Sequence, residues 1–202
     1  MDLNETWTTP DGASLRLRGL RAHDAPALGA LIESLPPVDR RRRFHGAVNA
    51  LSPAQLENLT SVDQQQHVAL AVTADAPVSA PLIAEARWVV DASGAAAEFA
   101  LLVAPAWRRR GIGERCIRAL LRAASAHDLS WIYGTVLADN APMLALMRRC
   151  GFSCRQKRGD LSLRLVEARV EARVEKTLSA DEADGRRRRM LGFAWMLTAA
   201  SQ

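Results

Sequence analysis

Lysine is almost absent from this chain. Only Lys157 and Lys176 occur in 202 residues, so the net charge of +5 is carried almost wholly by arginine. A basic balance permits contact with phosphates or acidic surfaces, and arginine makes better phosphate forks than lysine. Arginine runs are therefore informative where they sit beside another phosphate-binding feature. Aromatic residues make up only 5%. That argues against base-stacking surfaces, and no nucleic-acid partner is expected. The three cysteines, Cys116, Cys150 and Cys154, are odd in number and lack a paired spacing. This argues against a disulfide framework, and no His or Cys pair completes a zinc set. No apolar run reaches the roughly 20 residues that span a bilayer, so no membrane partner is expected. The start, Met1-Asp-Leu-Asn-Glu-Thr6, lacks the basic-then-apolar order of a secretory leader. A cytoplasmic location is expected.

What is present is a hydrophobic content of 49%, enough for one ordinary core. The expected organisation is one domain over residues 1–176 and a tail over 177–202. Leu15 and Leu17 alternate with polar neighbours and predict a first strand over 14–18. Asp24 is expected to cap a helix to about Ser34, which Pro36-Pro37 stops. Arg40 to Phe44 reads as a short basic helical turn, and Ser52-Pro53 opens a helix to about Thr60. Strands are expected over 67–73, 81–90 and 95–103. The last is apolar enough to suggest burial on both faces. A helix over 111–127, a strand over 131–137, a helix over 140–150 closed by Gly151, and strands over 154–157 and 162–166 follow. The four-residue repeat from Val166 reads as a strand continuing into helix or coil. In the tail, an arginine run precedes the apolar patch 190–197, which is expected to dock on protein. The order predicts an α/β (α+β) fold: a mixed, mostly antiparallel sheet with flanking helices and one helical crossover between parallel strands.

The chemistry concentrates around Arg108, Arg109, Arg110, Gly111, Ile112 and Gly113, between a buried strand and a long helix. Free N–H groups and the dipole at a helix N-terminus attract anions, and glycine lets the backbone approach a ligand closely. A pyrophosphate suits such a nest. A dinucleotide fold would need a third glycine and a later acidic residue, and a triphosphate loop would need Gly-Lys-Ser/Thr. Both are absent. A tight strand-to-helix turn with solvated arginines is the plain alternative. Glu98 is the lone charge in the apolar run 95–103, and burial would raise its pKa toward the range useful for a base. It lies about 17 Å of strand before Val103, comparable to an extended pantetheine arm. A structural carboxylate paired with Arg87 is the alternative. His45, His67 and His127 are expected in surface or cap roles, and Trp107 as a packing anchor.

Arg108-x-x-Gly111-x-Gly113 resembles the acyl-CoA pyrophosphate loop of the GNAT superfamily. Asn140, which opens the last helix, and Cys150-Gly151-Phe152, which closes it, extend the resemblance to about residues 14–164. Arg40-Arg-Arg-Arg-Phe44-His-Gly, Leu51-Ser-Pro53, Val62-Asp63, Ala97-Glu98-Phe99-Ala100 and Asn140-x-x-Met143 are more narrowly similar to the acetyltransferase domain of bacterial Pat-type protein lysine acetyltransferases. The resemblance implies a GNAT fold with a splayed parallel strand pair and acetyl-CoA as donor co-substrate. The acceptor it implies is a primary amine, on a protein lysine or a small molecule; a module that binds acyl-CoA without turnover is the third reading. It also implies roles. Leu101, Leu102 and Val103 would offer backbone to the pantetheine, residues 108–113 would hold the pyrophosphate, Asn140 would touch the cofactor, and Glu98 would be the general base. Many small-molecule members carry a tyrosine acid four residues before the glycine of Gly-Phe. Here that position is Met147, which leaves water to protonate the thiolate. Tyr133 is expected to be a packed strand residue. A homodimer is compatible with these readings. Pat-type domains often join a ligase-like or cyclic-nucleotide domain, and 202 residues hold neither, so regulation by a fused partner is not expected.

Overall fold

In a computed structural model, residues 4–46, 48–74 and 80–171 are described. The sequence tail over 177–202, with its arginine run and apolar patch, lies outside the described residues. So does the repeat beyond residue 171.

Eight strands form one sheet in the order β1-β2-β3-β4-β5-β6-β8-β7. They are β1 (Glu5–Thr8), β2 (Ser14–Gly19), β3 (His67–Ala74), β4 (Leu82–Val90), β5 (Ala96–Val103), β6 (Trp131–Leu137), β7 (Ser153–Lys157) and β8 (Asp160–Arg169). Every neighbouring pair is antiparallel except β5 and β6. The crossover between those two is α4 (Ile112–Ala126). The expected mixed sheet and its single parallel crossover are therefore present.

The helices cover both faces. α4 buries Ile112, Cys116, Leu120, Ala123 and Ala124, spaced three and four apart, so one stripe faces the sheet. It shares a core with Leu15, Leu70, Trp88, Phe99 and Met147. Each leucine-sized side chain buried there contributes roughly 1.5–3 kcal/mol. Trp88 is fully buried and satisfies its indole by donating from Nε1 to the carbonyl of Leu120 at 3.2 Å. α5 (Ala141–Arg149) lies beside α4 and contributes Leu144 and Met147 to this core. On the opposite face, α1 (Ala25–Glu33), α2 (Pro37–Phe44) and α3 (Pro53–Thr60) form a second core with Leu28, Leu31, Phe44, Ala69 and Leu102.

Local signals explain most boundaries. Ser52 and Gln55 make a reciprocal capping box at α3, with Pro53 in the first turn. Gly151 takes φ +84° after α5, where an L-residue would be strained. Three expectations need correction. Asp24 does not cap α1 through its side chain; Arg18 takes both its oxygens in a two-point ion pair at 2.7 Å. β1 precedes the expected first strand, pinned where Glu5 pairs with Arg115 and Arg122 of α4. β5 is not buried on both faces, because its second half borders an open cleft and Glu98 is exposed.

Candidate functional site

The ladder between β5 and β6 is short. It joins Ala96 to Trp131, Ala97 to Ile132 and Glu98 to Tyr133, and then stops. At the next position Gly134 lies beneath Phe99. A Cβ on Gly134 would meet the Phe99 ring at 2.9 Å, so only glycine lets the aromatic ring sit there. Beyond this point the strands diverge, and the β6-facing edge of residues 99–103 is left without a ladder partner. Such an edge offers unpaired N–H and C=O groups to an extended ligand. The opening is a cleft of about 2030 Å³ bordered by Glu98, Leu101, Val103, residues 108–113, Tyr133 and Asn140.

One end of the cleft is the turn into α4. Gly111 is the N-cap at φ +79°, a conformation that glycine adopts without strain. The first helical bond runs from the Arg115 N–H to the Gly111 carbonyl. The N–H groups of residues 109–114 therefore have no hydrogen-bond acceptor among the described residues, and those of 112–114 sit at the positive end of the helix dipole. Ile112 sends its side chain into the core and leaves only its backbone at the loop. The arginines differ from one another. Arg108 is engaged by Asp39 of α2 at 3.1 Å and by the Val103 carbonyl at 3.2 Å. Arg110 pairs with Asp11 and stacks over Trp107, 4.8 Å from the ring centroid. Arg109 is exposed, with φ +60° and no ion pair among the described residues. Trp107 is thus an anchor for Arg110 as well as a packing residue. Asn140 caps α5 by accepting from Met143 N at 3.3 Å, which leaves its amide N–H groups free. Unpartnered N–H groups, the helix dipole and an unpaired strand edge fit a pyrophosphate joined to a pantetheine arm.

The other end of the cleft is polar, on the face covered by α1, α2 and α3. Glu98 reaches solvent along the cleft and is enclosed on its remaining sides. Burial raises its pKa above the ordinary carboxylate value, with the charges of Lys157 and Arg43 opposing and Asp91 assisting. No arginine forms an ion pair with it among the described residues, so its expected alternative partner, Arg87, is engaged elsewhere. Arg87 donates from Nε to Glu85 Oε1, and from Nη1 to the Leu59 carbonyl at 3.0 Å. Arg43 of α2 reaches Glu85 Oε2 at 3.4 Å. His67 Nε2 lies 3.1 Å from Arg87 Nη1 and accepts from it. His67 was expected in a surface or cap role; burial and the Arg87 charge instead push its pKa down to about 4, so it is neutral at pH 7. Burial alone would raise Glu85, but Arg87 and Arg43 overcome this and hold it below the ordinary value. Glu85 is 1% exposed and Arg87 5%.

Sequence reasoning missed this buried cluster, although its signal was present. Glu85 and Arg87 are two opposite charges, two residues apart, in an otherwise apolar strand, and that spacing puts both on one face. Tyr133 borders the cleft beside Glu98, as does Asp91. Burial, followed by the charges of Asp91 and Glu98, pushes the Tyr133 pKa up to about 12. His127 also has partners: it packs edge-on to Trp88 at 5.4 Å, and its ring nitrogens lie 2.8 Å from the Ala123 carbonyl and 3.2 Å from that of Gln64. It lies away from the cleft. All three cysteines are free, and no group of His, Cys, Asp and Glu suited to a metal occurs among the described residues. No described helix is long and apolar enough to cross a membrane.

α2 joins the two ends. Asp39 holds Arg108 on the β5–α4 loop, Arg42 reaches the Asp139 carbonyl on the β6–α5 loop at 3.3 Å, and Arg43 meets Glu85 on β4. A sheet that splays around an anion-binding helix start, with a carboxylate at the far end of the opening, defines an acyl-CoA-dependent transferase. The profile of the Acetyltransferase (GNAT) family matches residues 52–152, and the chain belongs to that family. It is an acetyl-CoA-dependent N-acetyltransferase. Among its relatives, an acetyltransferase of Pseudomonas aeruginosa is 26% identical over 142 residues, 70% of this chain and 76% of its own. The acetyltransferase Pat of Mycolicibacterium smegmatis is 35% identical over 111 residues, which is 54% of this chain and 32% of Pat. This chain therefore matches about a third of that relative's length. The crystal structure of the GNAT domain of S. lividans PAT superposes with a TM-score of 0.75, covering 83% of this chain and 97% of that one, at 21% identity.

Proposed function

We propose that this enzyme acetylates lysine side chains on folded proteins, with Glu98 as the general base. The observation that carries the reading is the placement of Glu98, at the last rung of the β5–β6 ladder where the cleft opens, with its pKa raised by burial and no ion-pair partner among the described residues. The resemblance of its motifs to Pat-type protein lysine acetyltransferases supports a protein acceptor, and the chain is similar to the acetyltransferase Pat over 111 residues. Acetyl-CoA supplies an activated acetyl group as a thioester. The N–H groups of residues 109–114 would hold its pyrophosphate, and the free edge of Leu101, Leu102 and Val103 would hold the pantetheine extended toward Glu98.

A lysine amine has a pKa near ~10.4 and must lose a proton before it can attack. Glu98 takes that proton, directly or through one water, and a carboxylate with a raised pKa is a better base than an ordinary one. The charges of Lys157 and then Arg43 oppose that rise. Met147 is fully buried at the position where related enzymes carry a tyrosine acid. Water then protonates the departing thiolate.

The polar floor formed by Arg43, Arg87, His67 and Asp91 favours a second reading, a small free amine held wholly inside the cleft. The experiment is an acceptor panel: labelled acetyl-CoA with folded host proteins in one arm and free amines in the other. Label on lysines of at least one folded protein is the expected result. Turnover confined to small amines replaces the first reading with the second, and binding of acetyl-CoA with transfer to nothing sinks both.

A further inference from the structure

In a chain with two lysines among its 27 basic residues, one of the two lies in the cleft. Lys157 ends β7, where the β7–β8 hairpin borders the same opening as Glu98, Tyr133, Thr135 and His45. Its side chain is exposed and makes no hydrogen bond or ion pair within 4 Å among the described residues, so the amine is not tied down. Arg155, two residues earlier on the same strand, is by contrast held by Glu167 at 3.0 Å. The charge of Lys157 is felt at Glu98 more strongly than that of Arg43, and also at His45 across the cleft. A flexible primary amine therefore shares the acceptor end of the cleft with the candidate base.

We propose that Lys157 is an internal acceptor, acetylated on Nζ by its own active site. The proposal rests on the reading of Glu98 as general base. The ammonium loses one proton to Glu98, and its nitrogen lone pair then attacks the thioester carbonyl carbon of acetyl-CoA. A C–N bond forms, the C–S bond breaks, the nitrogen gives up its second proton to water, and the coenzyme leaves as thiolate and takes a proton from water. Because acceptor and base share one molecule, the reaction is intramolecular, and effective concentrations of about 10⁵–10⁸ M are within reach of well-oriented groups. The product amide is neutral. Acetylation thus removes the cation facing Glu98 and leaves a larger group at the acceptor end, so a high donor supply would feed back on the acceptor site.

The test is peptide mapping by mass spectrometry of the full chain incubated with acetyl-CoA over time, with an external amine assayed in parallel. The expected result is acetyl on Lys157. Its rate should be unchanged over about tenfold dilution of the protein and at least about tenfold lower in Glu98→Gln. Lys157→Arg should lose the modification. An equal rate in Glu98→Gln would mean surface chemistry, and a rate proportional to protein concentration would mean transfer between molecules; either overturns the proposal. An unmodified Lys157 beside a turned-over external amine also overturns it and leaves the proposed function standing. Transfer to neither defeats the proposed function and this inference together.

Discussion

At the residue scale, the strongest constraint is the buried cluster of Glu85, Arg87, Arg43 and His67. One carboxylate faces two guanidinium groups, so it is the group whose loss costs most. Glu85→Gln keeps the shape but leaves two buried cations facing each other. Removing one partner of a buried pair costs about 3–5 kcal/mol, and denaturant unfolding should show a loss of that size. A loss below about 1 kcal/mol would mean that the pair is open to solvent. His67 gives a pH signature. Its folded pKa of about 4 lies below the unfolded value, so the unfolded chain binds more protons between about pH 6.5 and 4. Stability contributed by keeping this ring neutral is present above that window and is lost as pH falls through it. His45, also lowered by burial, acts in the same direction. His67→Gln should therefore show a smaller fall in Tm between pH 7 and 5 than the parent. An identical fall would remove His67 from the account. Glu85 and Asp63, with lowered pKa values, act only at more acid pH.

At the element scale, two pieces shape the cleft: the turn into α4 and the helix α2. A Cβ on Gly113 would lie 3.1 Å from Leu146 Cδ2, the flexible end of a side chain that can give a little. Gly113→Glu would therefore fold, yet it puts bulk and negative charge at the anion-binding helix start. Acetyl-CoA should bind at least about tenfold more weakly, a loss of about 1.4 kcal/mol or more. Calorimetric affinity that is unchanged would take the pyrophosphate away from this loop. α2 was legible as a basic helical turn, but its function as a tie was not. Asp39, Arg42 and Arg43 find their partners on three separate elements, and pairings across such sequence distances leave no trace in local spacing.

At the scale of the whole molecule, what was legible followed from periodicity and turn chemistry. The alternation in β3, the stripe on α4, the Ser52-Pro53 cap and Gly151 each announce themselves within a few residues. β1 was missed because four residues with one tryptophan carry no period, and its place depends on Glu5 meeting α4 more than a hundred residues away. β5 was misjudged because its apolar residues line a cleft that exists only once β6 diverges. Glu98 and the glycine loop could be picked out as a lone charge and a phosphate-type turn, while the partners of Arg87, Arg108 and His67 required the fold.

The central claim is that the two ends of one cleft do separable work, with cofactor binding at the α4 turn and proton removal at Glu98. It is tested most directly by the pH dependence of kcat for Glu98→Gln, measured together with acetyl-CoA affinity. Burial raises the pKa of Glu98, so in the parent enzyme the rate should fall as pH drops through a value above the ordinary carboxylate range. Glu98→Gln should lose about 10²- to 10⁴-fold in kcat at neutral pH, lack that acid limb, and recover partly toward pH ~10 as the amine deprotonates by itself. Acetyl-CoA affinity should stay nearly unchanged. Tyr133→Phe should cost less than about tenfold, the low side of what a proton-transfer group contributes. Near-normal turnover in Glu98→Gln at neutral pH, together with collapse in Tyr133→Phe, would contradict the account and move the acid–base work to β6.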